Sequence, residues 1–238
     1  MSHVVIVGGT KGIGRDIAPF LSQHRVTRIG RSHYESADDR CVNIYDELHQ
    51  KEPITAFVCC QRYRGVRHEE WEGELETSIE LTDELLIWAG QHLENAAVVV
   101  MSSVAAVSVE EEQPASYHIA KAALVEMVKY YGLTLGPKQI RVNAIIPGLR
   151  IKPEAQAFYD AHPELEELYK RITPLGRMCV AEDLAFEIDH LINPKCYITG
   201  QAIVVDGGIS LRSHWALARM ITPSVKDLPV TQRQAVKA

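Results

Sequence analysis

Short runs rich in valine and isoleucine alternate with longer stretches of helical periodicity along this chain, and that alternation permits few folds. A strand followed by a helix, repeated, returns each strand parallel to the last and leaves helices covering both faces of one sheet. The strand runs are His3 to Val7, Val26 to Gly30, Arg40 to Asn43, Ile54 to Cys60, Ala96 to Ser102, Ile140 to Ile146 and Ala202 to Val205. The helical runs are Gly12 to Gln23, Trp71 to His92, Ala115 to Leu135 and Ala181 to Ile192, each long enough for a crossover. Pro19 falls inside the first of these. Proline in a helix interior removes a hydrogen bond and costs about 3 kcal/mol, so a kink or early stop is expected there.

At 238 residues, 46% hydrophobic and 24% charged, the chain has the makings of one sizeable core. A single α/β domain is expected over 1–212. The stretch Leu149 to Met178 carries Pro153, Pro163 and Pro174 and reads as an inserted substrate flap over one end of the sheet; 213–238 reads as a tail that contacts another subunit. With 25 Lys+Arg against 31 Asp+Glu the net charge is -6, which offers no global field for nucleic acid or an anionic membrane. No apolar run approaches the ~20 residues of a spanning helix. Met1-Ser2-His3 leads straight into Val4 without a basic segment or cleavage site, so the cytoplasm is the expected location. Cys41, Cys59, Cys60, Cys179 and Cys196 form an odd set with no C-x-x-C pair, expected to be reduced, mostly buried thiols with no metal.

The first strand runs into Gly8-Gly9-Thr10-Lys11-Gly12-Ile13-Gly14 and then into a helix. Glycines there let a backbone turn tightly and approach a pyrophosphate, although glycine loops also serve as plain turns. Placement after the first strand favours nucleotide binding. After the second strand an acidic residue would bind a free ribose 2′-hydroxyl, whereas a cation would accept a 2′-phosphate. The chain reads Gly30-Arg31-Ser32. With Lys11 near the same region, NADP(H) is preferred over NAD(H); the alternative is that Arg31 and Lys11 are solvated surface charges. Asn43 stands where it would hydrogen-bond the adenine or serve as a turn residue.

Tyr117 and Lys121 are four apart in one helical run, hence one turn apart on the same face. A tyrosine ordinarily ionises near pH 10, and an ammonium beside it favours the phenolate. The pair therefore reads as a general acid/base, or else as a surface pair on a helix. Ser103 lies just past the end of the Ala96 to Ser102 strand, the edge where open parallel sheets bind ligands, and its hydroxyl would steady a developing alkoxide.

Together the glycine loop, Ser103, Tyr117 with Lys121, Arg141-Val142-Asn143-Ala144 leading to Pro147-Gly148, and Ile198-Thr199-Gly200-Gln201 leading to Asp206-Gly207-Gly208 resemble the short-chain dehydrogenase/reductase family, from about Val4 to Ser210. The resemblance implies a Rossmann-type doubly wound parallel sheet of seven strands in the order 3-2-1-4-5-6-7, with hydride transfer between a nicotinamide and a carbonyl or alcohol. It also implies a homo-oligomer, commonly a tetramer. By the same resemblance Tyr117 is the proton donor, Lys121 holds the nicotinamide ribose and Ser103 orients the substrate oxygen, with Ser102 the weaker choice. Cys60, Pro147, Gly148 and the backbone at Ile151 join the cofactor wall.

Three departures from the family pattern stand out. The usual Asn-Asn-Ala-Gly is replaced by Cys59-Cys60-Gln61-Arg62, followed by Tyr63-Arg64-Gly65. At least one of Arg62, Arg64 and Arg67 is expected to bind an anionic substrate group or a cofactor phosphate, the alternative being a solvated loop. Ser78 falls where an asparagine usually completes the proton relay, and Lys152 stands where a threonine usually touches the carboxamide. The expected function is an NADPH-dependent carbonyl reductase acting on a small molecule. Two rivals are a non-catalytic NADP(H)-binding sensor or assembly subunit and a sugar or polyol dehydrogenase working oxidatively.

Overall fold

The computed structural model describes residues 2–30, 53–65 and 69–222. Arg31, Ser32, Asn43, Cys41 and Arg67, the expected strand Arg40 to Asn43 and the end of the tail lie outside the described residues. Two compact units are present. The first holds the described residues up to Arg150 together with Cys179–Val205; the second holds Ile151–Met178 and the described residues from Asp206.

The first unit is built on a parallel sheet of β1 (His3–Val7), β2 (Arg25–Ile29), β3 (Ala56–Cys59), β4 (Ala97–Met101), β5 (Arg141–Pro147) and β6 (Ala202–Val205), in the order β2-β1-β3-β4-β5-β6. Successive side chains on a strand point to opposite faces, so the continuous apolar runs divide between two cores. Val5, Val7, Phe57, Val98 and Val100 pack on one face with Leu85, Leu86, Leu124 and Val128; Val4, Ile6, Val58, Val99 and Met101 pack on the other with Ile17, Leu184 and Ile188. Burial on both faces is why these strands are apolar throughout rather than alternating. The described sheet is the doubly wound one expected, with α1 (Gly12–Ile17) and α7 (Ala181–Ile192) on one side and α3 (Leu81–His92) and α4 (Ala115–Thr134) on the other.

Register decides where the chemistry gathers. Val7 pairs with both Ile29 and Cys59, Cys59 pairs with Val100, and Met101 pairs with Ile145. The chain therefore leaves the sheet along one edge at Gly8, Cys60 and Ser102, with Gly148 following Pro147 two residues beyond Ile145.

Two helices depart from the sequence expectation. The α1 segment stops at Ile17 and tightens into a 3-10 turn over Ala18–Leu21, with Pro19 in its opening positions; the missing N–H ends the α-helical ladder where the proline predicts. The run expected as one helix from Trp71 to His92 is α2 (Glu70–Glu74), a π turn over Leu75–Glu80, and then α3. Inside the wide turn the Ser78 hydroxyl donates to the Glu74 carboxylate and the Ser78 carbonyl accepts from the Thr82 hydroxyl at 2.7 Å. Hydroxyl bonds of this kind compete with the backbone ladder.

In the second unit α5 (Gln156–Ala161) is followed by α6 (Pro163–Ile172), which starts on a proline whose missing N–H costs nothing there. Acidic Glu164 and Glu166 open α6 and basic Lys170 and Arg171 close it, in line with the helix dipole. The described start of the tail forms α8 (His214–Ile221), capped by the Ser213 hydroxyl, which accepts from the Ala216 N–H at 3.3 Å.

Candidate active site

Helix α4 begins on Pro114 and carries Tyr117 and Lys121 inward, 8% and 3% exposed. The loop ahead of it is fastened by His118, whose Nε2 accepts from the Glu110 N–H at 2.9 Å while its Nδ1 lies 3.0 Å from the Pro114 carbonyl. With Nε2 accepting, Nδ1 carries the proton and donates. The Lys121 Nζ donates to the Met101 carbonyl at the end of β4, 3.1 Å away, and lies 5.6 Å from the centre of the Tyr117 ring. The Tyr117 hydroxyl has no hydrogen-bond partner among the described residues. Ser103 follows β4 in extended backbone; its Oγ accepts from the Ala105 N–H at 3.2 Å, which leaves its own proton to donate. Ser102 is committed elsewhere, donating from a buried hydroxyl to the Lys121 carbonyl at 2.8 Å. Tyr117, Lys121 and the start of the Ser103 turn thus meet at one sheet edge.

Burial lowers Lys121 from its ordinary 10.5 to about 8, with Glu74 pulling it upward and Arg62 pressing it down. Glu74 is a buried carboxylate whose hydrogen bond comes from Ser78, itself wholly buried. The residue expected to replace the relay asparagine therefore has its hydroxyl and carbonyl occupied, and it leads to a second titratable group that the sequence did not single out. Glu70, Glu72, Glu74 and Glu76 alternate in that stretch, and only the fold turns one of them inward. Cys59 is pushed up to about 12 by burial; Cys60 is raised still further, first by burial and then by Cys59. Neither thiol has the electropositive, exposed setting of a reactive cysteine.

The segment after β3 places its cations on two different targets. The Arg62 guanidinium stands 4.4 Å over the centre of the Tyr117 ring, within cation–π range, and its Nη2 donates to the Gln113 Oε1 at 2.7 Å; its Nε is buried without a partner. Arg64 is exposed and reaches the glycine loop instead. That loop fits a dinucleotide by what it cannot hold. Gly8 (φ +73) would bring a Cβ within 2.6 Å of the Gln61 amide nitrogen, and Gly12 (φ +56) would bring one within 2.5 Å of Arg64 Nη2. Both positions take a left-handed backbone that side chains rarely adopt. Thr10, Lys11 and Ile13 lie at or near the surface of the same loop, and Gly14 is buried against its start.

Beyond β5, Gly148 donates to the Val205 carbonyl at 2.9 Å and Arg150 pairs with Asp16 at 2.9 Å, which ties this exit to α1. Asn143 is structural: its Nδ2 donates to the Ile198 carbonyl at 2.8 Å and its Oδ1 accepts from the Gln201 N–H at 3.1 Å. Ile151 and Lys152 open the second unit. No group of His, Cys, Asp and Glu among the described residues is arranged to hold a metal ion.

A doubly wound parallel sheet, a glycine loop after its first strand and an inward Tyr–Lys pair at the same edge define a dinucleotide-dependent oxidoreductase class. The comparisons with known proteins agree. A family model described as enoyl-(acyl carrier protein) reductase matches residues 61–210. The human dehydrogenase/reductase SDR family member 2, mitochondrial, is 30% identical over 85% of this chain and 84% of its own length. A short-chain type dehydrogenase/reductase from Mycobacterium ulcerans has the same fold, with a TM-score of 0.71 at 25% identity, covering 89% of this chain and 90% of that one. ElxO with NADP bound superposes with a TM-score of 0.72 at 22% identity, over 89% of this chain and 99% of its own. The chain belongs to the short-chain dehydrogenase/reductase family of NAD(P)-dependent oxidoreductases. It spans little more than a third of the length of several fungal relatives that it matches, 35% of one from Penicillium roqueforti.

Proposed function

We propose that this protein uses NADPH to reduce a carbonyl group on a small or medium-sized acidic substrate to an alcohol. The bound nicotinamide supplies the hydride that the carbonyl carbon accepts. Tyr117 gives its hydroxyl proton to the carbonyl oxygen, and Ser103, with its own proton free, donates a hydrogen bond to the same oxygen. Lys121 holds a positive charge beside the phenolate left behind and offers its remaining donors to the ribose. Arg62, braced by Gln113 and set over the Tyr117 ring, suits an acidic group on the substrate. The observation that carries this proposal is the buried Lys121 ammonium, held by the Met101 carbonyl at the end of β4 and 5.6 Å from the centre of the Tyr117 ring.

NADP(H) is favoured by the cations and hydroxyl of Lys11, Arg31 and Ser32, and a protein of the same fold, ElxO, is known with NADP bound. A homo-oligomer is supported by Ile119, Tyr130 and Leu133, which α4 leaves exposed. Turnover of a panel of aldehydes, ketones and oxo acids with NADPH and with NADH is the direct test. Faster consumption of NADPH, with the preference lost in Arg31→Asp, is expected. Equal use of NADH, or a preference unmoved by Arg31→Asp, would contradict the cofactor assignment.

A further inference from the structure

The segment after β3 brings a second cation to the glycine loop, which already carries Lys11. The first helix spans six residues before its 3-10 turn, and a helix N-terminus offers only about half a positive charge. A dinucleotide's diphosphate carries two negative charges, so a loop of this kind gains most from a side chain that adds a full one. The Arg64 guanidinium stands over Gly12, close enough that any Cβ there would meet Nη2 at 2.5 Å. It has no hydrogen bond or ion pair among the described residues. Arg62, two residues earlier, is committed to Gln113 and the Tyr117 ring, so the two arginines serve different ends of the site.

We infer that Arg64 is a diphosphate ligand: it closes over the glycine loop and forms charge-assisted hydrogen bonds to the two phosphates that join the halves of the cofactor. This rests on the dinucleotide assignment above and adds a binding residue from outside the loop. Guanidinium matches a pair of phosphate oxygens through its fork of N–H donors, which an ammonium does only as a point charge. Gly12 is held to glycine by its positive φ, and the guanidinium lies over the backbone that this conformation exposes.

The test is equilibrium binding without turnover. Dissociation constants for NADPH, for ADP-ribose and for 2′-AMP, which keeps the 2′-phosphate and lacks both phosphates of the bridge, are measured by fluorescence and calorimetry on wild type, Arg64→Ala and Arg64→Lys. Arg64 is exposed, so both variants are expected to keep the wild-type thermal midpoint. Arg64→Ala should weaken NADPH and ADP-ribose about tenfold or more, Arg64→Lys should fall between, and 2′-AMP should bind all three alike. NADPH bound equally well by wild type and Arg64→Ala would overturn the role of Arg64 and leave the dinucleotide assignment standing. An equal loss for 2′-AMP would overturn the assignment to the diphosphate. Wild type that binds neither NADPH nor NADH would remove the dinucleotide assignment itself.

Discussion

Lys121 is buried between two opposed charges, Glu74 and Arg62, and ends near 8 rather than 10.5. Its ammonium is lost as the pH rises through about 8, so kcat/KM is expected to fall on the alkaline side. Glu74→Gln keeps an acceptor for Ser78 and removes the charge that raises the lysine, which moves that limb to lower pH. Arg62→Ala removes a charge that lowers it and moves the limb to higher pH, while raising KM for acidic substrates. Profiles of both variants that coincide with wild type would refute the coupling. The same shift bears on stability: between pH 8 and 10.5 the unfolded lysine binds more proton than the folded one, so this group's contribution rises with pH over that window. Tyr117 and Lys121 were legible because their spacing is a helix turn. Glu74 was not, since one acidic residue among four alternating ones is chosen by the direction of the helix. The arginines were legible as a cluster, but their separate targets depend on how the chain leaves β3.

At the scale of elements, the strands follow from their β-branched residues, and the described ones fall within a residue or two of the expected ends. The π turn was invisible because it depends on two hydroxyl bonds, at Ser78 and Thr82, within a pattern whose apolar spacing is that of an ordinary helix. Asp16 and Arg150 lie far apart in sequence and form a pair about one-tenth exposed, joining α1 to the chain beyond β5. Asp16 also pairs with Arg15 at 3.0 Å, so it is removal of the carboxylate that strands the buried Arg150 charge, and Asp16→Ala should cost about 3 kcal/mol in urea unfolding; a change below about 0.5 kcal/mol would show the pair to be solvated. In the same helix layer, Ile188 of α7 is fully buried under the sheet, and Ile188→Ala should cost about 2–5 kcal/mol by leaving a cavity.

At the scale of the molecule, a chain of net charge -6 brings Arg62, Arg64 and Lys121 to one edge of its sheet, where they attract an anionic ligand against the global field. The association rate of NADPH should therefore fall with added salt, and a rate independent of salt would place the binding elsewhere. The exposed apolar residues of α4 lead to a further expectation: sedimentation should show an oligomer that Leu133→Glu dissociates, and a monomeric wild type would refute it. The central claim concerns proton delivery at the same sheet edge. Tyr117→Phe removes one hydroxyl and keeps the ring under Arg62. Reductive turnover and NADPH affinity measured on this variant test the claim most directly: activity should fall about a hundredfold or more with affinity unchanged, and a variant that reduces carbonyls at the wild-type rate would contradict it.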